Sequence, residues 1–226
     1  MRKFCTGILL PVLLLLQLNT FAQPKDIAVL KHQFYTSYFS TTQHIPIVIE
    51  YVLTRDMFIC DTKIKRTNKF AVDPLLSDAT NLKNDYKGSG FDRGHNMSAA
   101  DNACSEQGMR ECFYFSNMTP QPHFFNAGTW EDLERQERKY AETEKIIVFT
   151  GSVGKTGTIG VDEVTVPQYM WKVIFFPQRT VDAYECYFFP DSAEAVKPYT
   201  LYKVSKETIE ERARVHFNGE GFVFVE

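Results

Sequence analysis

The chain has 226 residues, 44% of them hydrophobic, and sets 25 lysines and arginines against 28 aspartates and glutamates for a formal net charge of −3. That length and apolar content exclude a disordered chain and suffice for the buried core of one ordinary domain. The acidic balance excludes a protein that coats polyanions through global charge, so any grip on one has to come from a local basic patch.

The opening stretch MRKFCTGILLPVLLLLQLNTFAQPK places Arg2 and Lys3 before an apolar run from Ile8 to Leu18 and a small-residue site at Thr20-Phe21-Ala22. This is the pattern of a secretory signal peptide over residues 1–22, with an apolar run shorter than the ~20 residues of a membrane-spanning helix. Residues 23–226 are expected to form a single exported domain, secreted or periplasmic, with no membrane anchor after cleavage. Its cysteines are Cys60, Cys104, Cys112 and Cys186, in a compartment where disulfides persist. Their pairing is open in principle. The short CSEQGMREC spacing favours Cys104 with Cys112, which leaves Cys60 with Cys186. Neither CxxC nor HxxxH accompanies them, so the strong zinc spacings are absent.

Residues 23–46 read as a polar lead-in, after which His44 to Phe58 has the β-branched and aromatic content of a strand. Residues 60–90 carry Asp73-Pro74, Asn84-Asp85 and Gly88-Ser89-Gly90, the punctuation of a surface loop. From Phe91 we expect a short strand, a loop from Asp101 to Glu111, a second strand from Cys112 to Ser116, and a turn from Thr119 to His123. Ala127 to Lys145 lacks proline and spaces Trp130, Leu133 and Tyr140 as a helix does. KIIVFTGSVG, VPQYMWKVIFF and VDAYECYFFPD read as further strands, and Ser205 to Arg212 as a last short helix. Strands on both sides of a central helical segment make an α+β domain.

Chemistry concentrates in YKGSGFDRGHNMS, where Arg93 and His95 stand two apart and so share one face of an extended segment. Hydrolysing a phosphodiester takes a base for water, a cation or metal for the charge building on the phosphoryl oxygens, and help for the departing oxygen. A histidine of ordinary pKa, about 6.5, is partly neutral near pH 7 and serves as such a base. Taken alone, a histidine beside an arginine is more often plain solvated sequence. Downstream, FSNMTPQ presents Asn117, and NAGTWEDLE sets Asn126, Trp130 and Glu134 at successive steps of four on one side of a helix. Asn126 offers an amide oxygen suited to Mg²⁺, and Glu134 a carboxylate for metal-bound waters. Their bland readings are a helix N-cap and a solvated partner of Arg138.

DRGH, SNMTPQ and N-x-x-x-W-x-x-L-E in this order resemble the DNA/RNA non-specific endonuclease family, which includes mitochondrial endonuclease G. The resemblance takes in RTNKFAVDP upstream and the VFTG, VPQYMWKVIF and TIEE segments downstream, roughly Ile45 to Phe222. It implies a central antiparallel sheet carrying a ββα-metal finger with flanking helices. It further implies His95 as general base, Asn126 as metal ligand, Glu134 as orienter of metal-bound waters, Arg93 as a phosphate contact, Asn117 as a support and Arg66 as the transition-state arginine. Implied with them are Mg²⁺ (or Mn²⁺), DNA and RNA substrates, and 5′-phosphate products. The competing readings are an exported nucleic-acid-binding protein of weak catalysis and a DNA-only nuclease. His123 reads as a turn residue packing on Phe124, and Lys172 as a mark of the solvent face of its strand.

Overall fold

The computed structural model describes residues 24–76, 82–192 and 197–225. The signal-peptide reading of residues 1–22 lies outside them. The strands are β1 (Ile27–Lys31), β2 (Thr36–Ser40), β3 (Ile45–Leu53), β4 (Asp92–His95), β5 (Met118–Gln121), β6 (Ile146–Val153) and β7 (Gly157–Ile159). They continue with β8 (Val164–Val166), β9 (Tyr169–Phe175), β10 (Tyr184–Pro190), β11 (Lys203–Val204), β12 (Val215–Phe217) and β13 (Phe222–Phe224). The α-helices are α1 (Leu82–Asp85), α2 (Glu106–Glu111), α3 (Glu131–Ala141) and α4 (Lys206–Ala213).

A seven-stranded sheet in the order β1-β2-β3-β6-β9-β10-β11, antiparallel throughout, forms the centre of this α+β fold. Its middle strands are buried on both faces, so IIVFTGSV and YMWKVIF read as nearly unbroken apolar runs. On one face Ile49, Tyr51, Leu53, Ile146, Val148, Met170 and Ile174 pack with Phe125, Trp130 and Leu133 beside α3. On the other, Val48, Ile147, Phe149, Trp171 and Val173 pack with Ile209 of α4 and with Val215 and Phe217 of β12. Each large side chain fully buried here contributes about 1.5–3 kcal/mol.

Several element boundaries differ from the sequence expectations. The supposed lead-in holds β1 and β2, whose Leu30 and Phe39 are buried in a cluster with Ile45. The expected loop from Asp101 to Glu111 contains α2, begun by Ser105, whose side chain accepts from the Gly108 amide at 3.1 Å. This cap side chain supplies the start signal that the helix pattern itself, only six residues long, lacks. The second finger strand falls at Met118–Gln121, in the stretch expected to turn.

The cysteine pairing also differs. Cys60 and Cys104 form the disulfide, while Cys112 and Cys186 are buried thiols. With α2 between them, Cys104 and Cys112 are held apart by about 9 Å of helical rise, beyond the ~7 Å that a disulfide spans between Cα atoms. Cys186 faces the α4 side of the sheet, away from Cys60.

Candidate active site

Beside the large sheet, β4 and β5 pair antiparallel, with Asp92 opposite Gln121 and His95 opposite Met118. A Cβ at Gly94, between Arg93 and His95, would collide with the Gln121 side chain, which would have to shift to admit it. The chain then turns at Pro122, whose carbonyl accepts from the amides of Phe125 (3.0 Å) and Asn126 (2.9 Å). Helix formation starts with a π-helical segment, Phe125–Trp130, and passes into α3. Two strands and this helix are the ββα finger, and the Trp130 indole locks them together by donating to the His95 carbonyl at 3.0 Å.

Arg66, Arg93, His95, Asn126, Glu131, Glu134 and Arg138 surround one cavity of about 260 Å³, with Ser98 in its wall. His95 is 7% exposed, set edge-on against the Phe113 ring at 4.9 Å, and its Nε2 has no hydrogen-bond partner among the described residues. Burial, reinforced by the charge of Arg66, pushes its pKa down to about 3, while a hydrogen bond to the Arg93 backbone opposes the shift. The imidazole is therefore neutral at physiological pH. Arg93 carries its guanidinium 4.9 Å from the centre of the Phe70 ring and 5.7 Å from that of Tyr86. Arg66 lies over Phe113 at 5.2 Å and donates through Nε to Asn68 at 2.9 Å.

Asn126 donates its amide nitrogen to Asp92 at 2.9 Å, which leaves its carbonyl oxygen as the atom available to a cation. The same Asp92 oxygen bonds His123 Nδ1 at 2.8 Å. Asp92 is a site residue that the sequence reading passed over, although it opens the DRGH string. His123 packs against Phe124 as expected, and is in addition tied to that carboxylate.

Glu134 is buried, against the bland reading of a solvated Arg138 partner. Burial raises its pKa, with Lys172 and a hydrogen bond to Ser98 acting the other way and Asp101 adding to the rise. Arg138 instead bonds Asp101 at 2.7 Å. Burial holds the Asp101 carboxyl up at about 6 despite Arg138. Lys172 is the clearest correction on this side. Its position in β9 shares the face of Met170 and Ile174, so it points at α3 and is 0% exposed. There it pairs with Glu137 at 3.1 Å, beside the Trp130 ring at 4.2 Å.

Asn117 does not line the cavity. Its amide accepts from the Met97 N–H and donates to the carbonyls of Met97 and Cys112, each at 2.9 Å. Its action on the site is to fix the chain that follows His95. The disulfide anchors the arginine loop: Cys60 joins Cys104, and Ile64 N–H donates to Ala103 at 2.7 Å just before Arg66.

Comparison with known proteins places this geometry. The family model for DNA/RNA non-specific endonuclease matches residues 16–221. Nuclease EXOG of Danio rerio mitochondria is 39% identical over 120 residues, 47% of this chain, and the match spans only 35% of that relative's length. A nuclease of Serratia marcescens is 29% identical over 202 residues, 83% of this chain and 73% of the relative. Among solved structures, the EndoG chain of an EndoG/EndoGI inhibitory complex aligns with a TM-score of 0.71 at 26% identity, covering 84% of each chain. With the family match running through the finger, the cavity and the sheet behind them, the chain belongs to the DNA/RNA non-specific endonuclease family.

Proposed function

We propose that this chain is an exported, metal-dependent endonuclease that hydrolyses the phosphodiester bonds of DNA and RNA and leaves 5′-phosphate ends. One observation carries the reading: a buried, neutral His95 with an unpartnered Nε2 shares a cavity with two arginines, an oriented asparagine amide and Glu134. Nε2 accepts the proton of an attacking water. Arg93 and Arg66 place fixed positive charge about the phosphate, and the rings beneath them limit their drift.

Among the described residues, no group of three or more His, Cys, Asp or Glu is arranged to hold a metal. A single amide oxygen with a carboxylate behind it suits a hard ion that keeps most of its waters, Mg²⁺ or Mn²⁺, rather than zinc. Asn126 would hold the ion and Glu134 would orient its waters. When bound, it neutralises charge on the phosphoryl and departing oxygens. Asn117 keeps the finger in register behind His95. Contacts to phosphate and sugar carry little base preference. Export is supported by the leader pattern and by the Cys60–Cys104 bond.

The test is digestion of plasmid DNA and of RNA by residues 23–226, with Mg²⁺ or with EDTA, beside His95→Ala. Loss of the general base is expected to cost about 10² to 10⁴ in rate. Near-normal turnover by that variant, or cutting in EDTA, overturns the mechanism; a background rate on RNA alone narrows the enzyme to DNA.

A further inference from the structure

We propose that Lys172 is a positioning residue for the reaction: its buried ammonium holds Glu134 as a carboxylate in the cavity wall, able to accept from metal-bound waters with both oxygens. The inference rests on the metal-dependent nuclease reading above. Behind the cavity stand three buried carboxyls, Asp101, Glu134 and Glu137, and two cations, the buried Lys172 and the half-buried Arg138. Arg138 pairs with Asp101 at 2.7 Å, and Lys172 with Glu137 at 3.1 Å. Glu134 is the third carboxyl, with no ion pair of its own among the described residues. Burial favours its neutral form, and protonation would turn one of its two acceptor oxygens into a donor.

Lys172 is fixed close to that carboxyl. Its side chain rises from β9 toward α3, where the ammonium lies 3.1 Å and 3.4 Å from the two Glu137 oxygens and 4.2 Å from the centre of the Trp130 ring. Glu137 is held in turn by the Tyr51 hydroxyl of β3, which donates to it at 3.2 Å. Glu134 stands three residues before Glu137, so the two share a face of α3 with Cβ atoms about 5–6 Å apart. The charge of Lys172 is the largest influence opposing burial at Glu134. Arg138 and a hydrogen bond to Ser98 also favour the carboxylate, while Asp101, from the turn after β4, works against it. On the cavity side Glu134 shares its walls with Arg66, Arg93, neutral His95 and Glu131. A buried lysine–glutamate pair stabilises a core no better than well-packed apolar side chains of similar volume, so packing alone gives no reason for an ammonium here. Keeping Glu134 charged does.

The experiment compares Glu137→Gln with the double variant Lys172→Met/Glu137→Gln. Both lack the Glu137 carboxylate, so they differ in the charge at position 172 and neither leaves Glu137 buried without a partner. One arm follows the Glu134 side-chain carboxyl by ¹³C NMR across a pH series without metal, its signal assigned by its absence from Glu134→Gln. The other measures plasmid cleavage at saturating Mg²⁺ over the same series. The double variant is expected to titrate Glu134 about one pH unit or more above Glu137→Gln, the effect of removing a nearby opposite charge. On acidification its cleavage should fail at correspondingly higher pH. Glu137→Gln, in which Lys172 faces Glu134 alone, is expected to titrate Glu134 below the intact domain, and this comparison decides the matter if the double variant does not fold. Equal Glu134 midpoints in the two variants, or a midpoint in Glu137→Gln no lower than in the intact domain, overturn the proposal. So does a displaced midpoint with an unmoved acid limb of cleavage, because Lys172 then sets a charge that the reaction does not use. If the midpoints separate as expected and no form cuts nucleic acid, the coupling of Lys172 to Glu134 stands and the nuclease reading falls.

Discussion

Replacing Asp92 with alanine tests how the finger presents Asn126, the metal ligand proposed above. The carboxylate receives the Asn126 amide at 2.9 Å and the His123 ring at 2.8 Å on a single oxygen. Without it the Asn126 side chain is free to turn, and its two ends compete for the cation position. A hydrogen bond to a charged group contributes about 1.5–3 kcal/mol, and loss of such an outer partner of a metal ligand lowers metal affinity about 10- to 100-fold. These ranges agree, since a factor of ten is about 1.4 kcal/mol. We expect Asp92→Ala to raise the Mg²⁺ concentration for half-maximal plasmid cleavage by that factor, with most of the rate recovered at saturating metal. His123→Ala should shift it far less, because Asp92 still holds Asn126. An unchanged metal titration for Asp92→Ala refutes the reasoning. Equal shifts in the two variants would mean that Asp92 holds Asn126 only while His123 holds Asp92.

Three further predictions concern proton, charge and disulfide. Because His95 titrates near 3 when folded and about 6.5 when unfolded, the unfolded chain binds more protons between these values. Its contribution to stability is thus fully present above pH 6.5 and is lost as pH falls toward 3; NMR of the imidazole should show no titration between pH 5 and 8, and a midpoint near 6.5 refutes this. Lys172→Met leaves Glu137 buried without its 3.1 Å partner and should cost about 3–5 kcal/mol in urea unfolding, partly recovered by adding Glu137→Gln. A loss below about 1 kcal/mol would contradict the burial argument. The Cys60→Ser/Cys104→Ser pair removes a cross-link across 44 residues and should cost about 2–4 kcal/mol while raising KM for polymer through the loosened Arg66 loop. Normal stability and normal KM together would refute it.

The cavity was legible where chemistry shows in local spacing. Alternation along a strand put Arg93 and His95 on one face, and the asparagine-to-glutamate spacing put Asn126 and Glu134 on one helical arm. What escaped is what the fold alone brings together. Asp92 matters because the hairpin returns at Gln121 and delivers Asn126 beside it, a closure that no window of sequence displays. Lys172 looked like a solvent marker because alternation tells which residues share a face, not which face α3 covers. The Cys60–Cys104 bond is hidden from the sequence because short chain separation favours Cys104 with Cys112, whereas α2 stands between those two. β1 and β2 were missed because IAVLK and TSYFS are short and flanked by polar residues, and their hydrophobic partners lie in later segments.

The π-helical opening of the finger helix bears on how this site tolerates change. A wide turn of this kind is an α-helix carrying an additional residue, a feature that recurs at functional sites. Removing one residue between Asn126 and Trp130 would let the ladder relax to an ordinary helix, with Trp130 and Glu134 still seated on the sheet. Asn126 would then swing about 100° around the axis, away from Asp92 and the cavity, while every other element kept its place. A residue deleted at Ala127 or Gly128 is therefore expected to leave a folded domain in which Asn126 no longer meets Asp92 or the cavity.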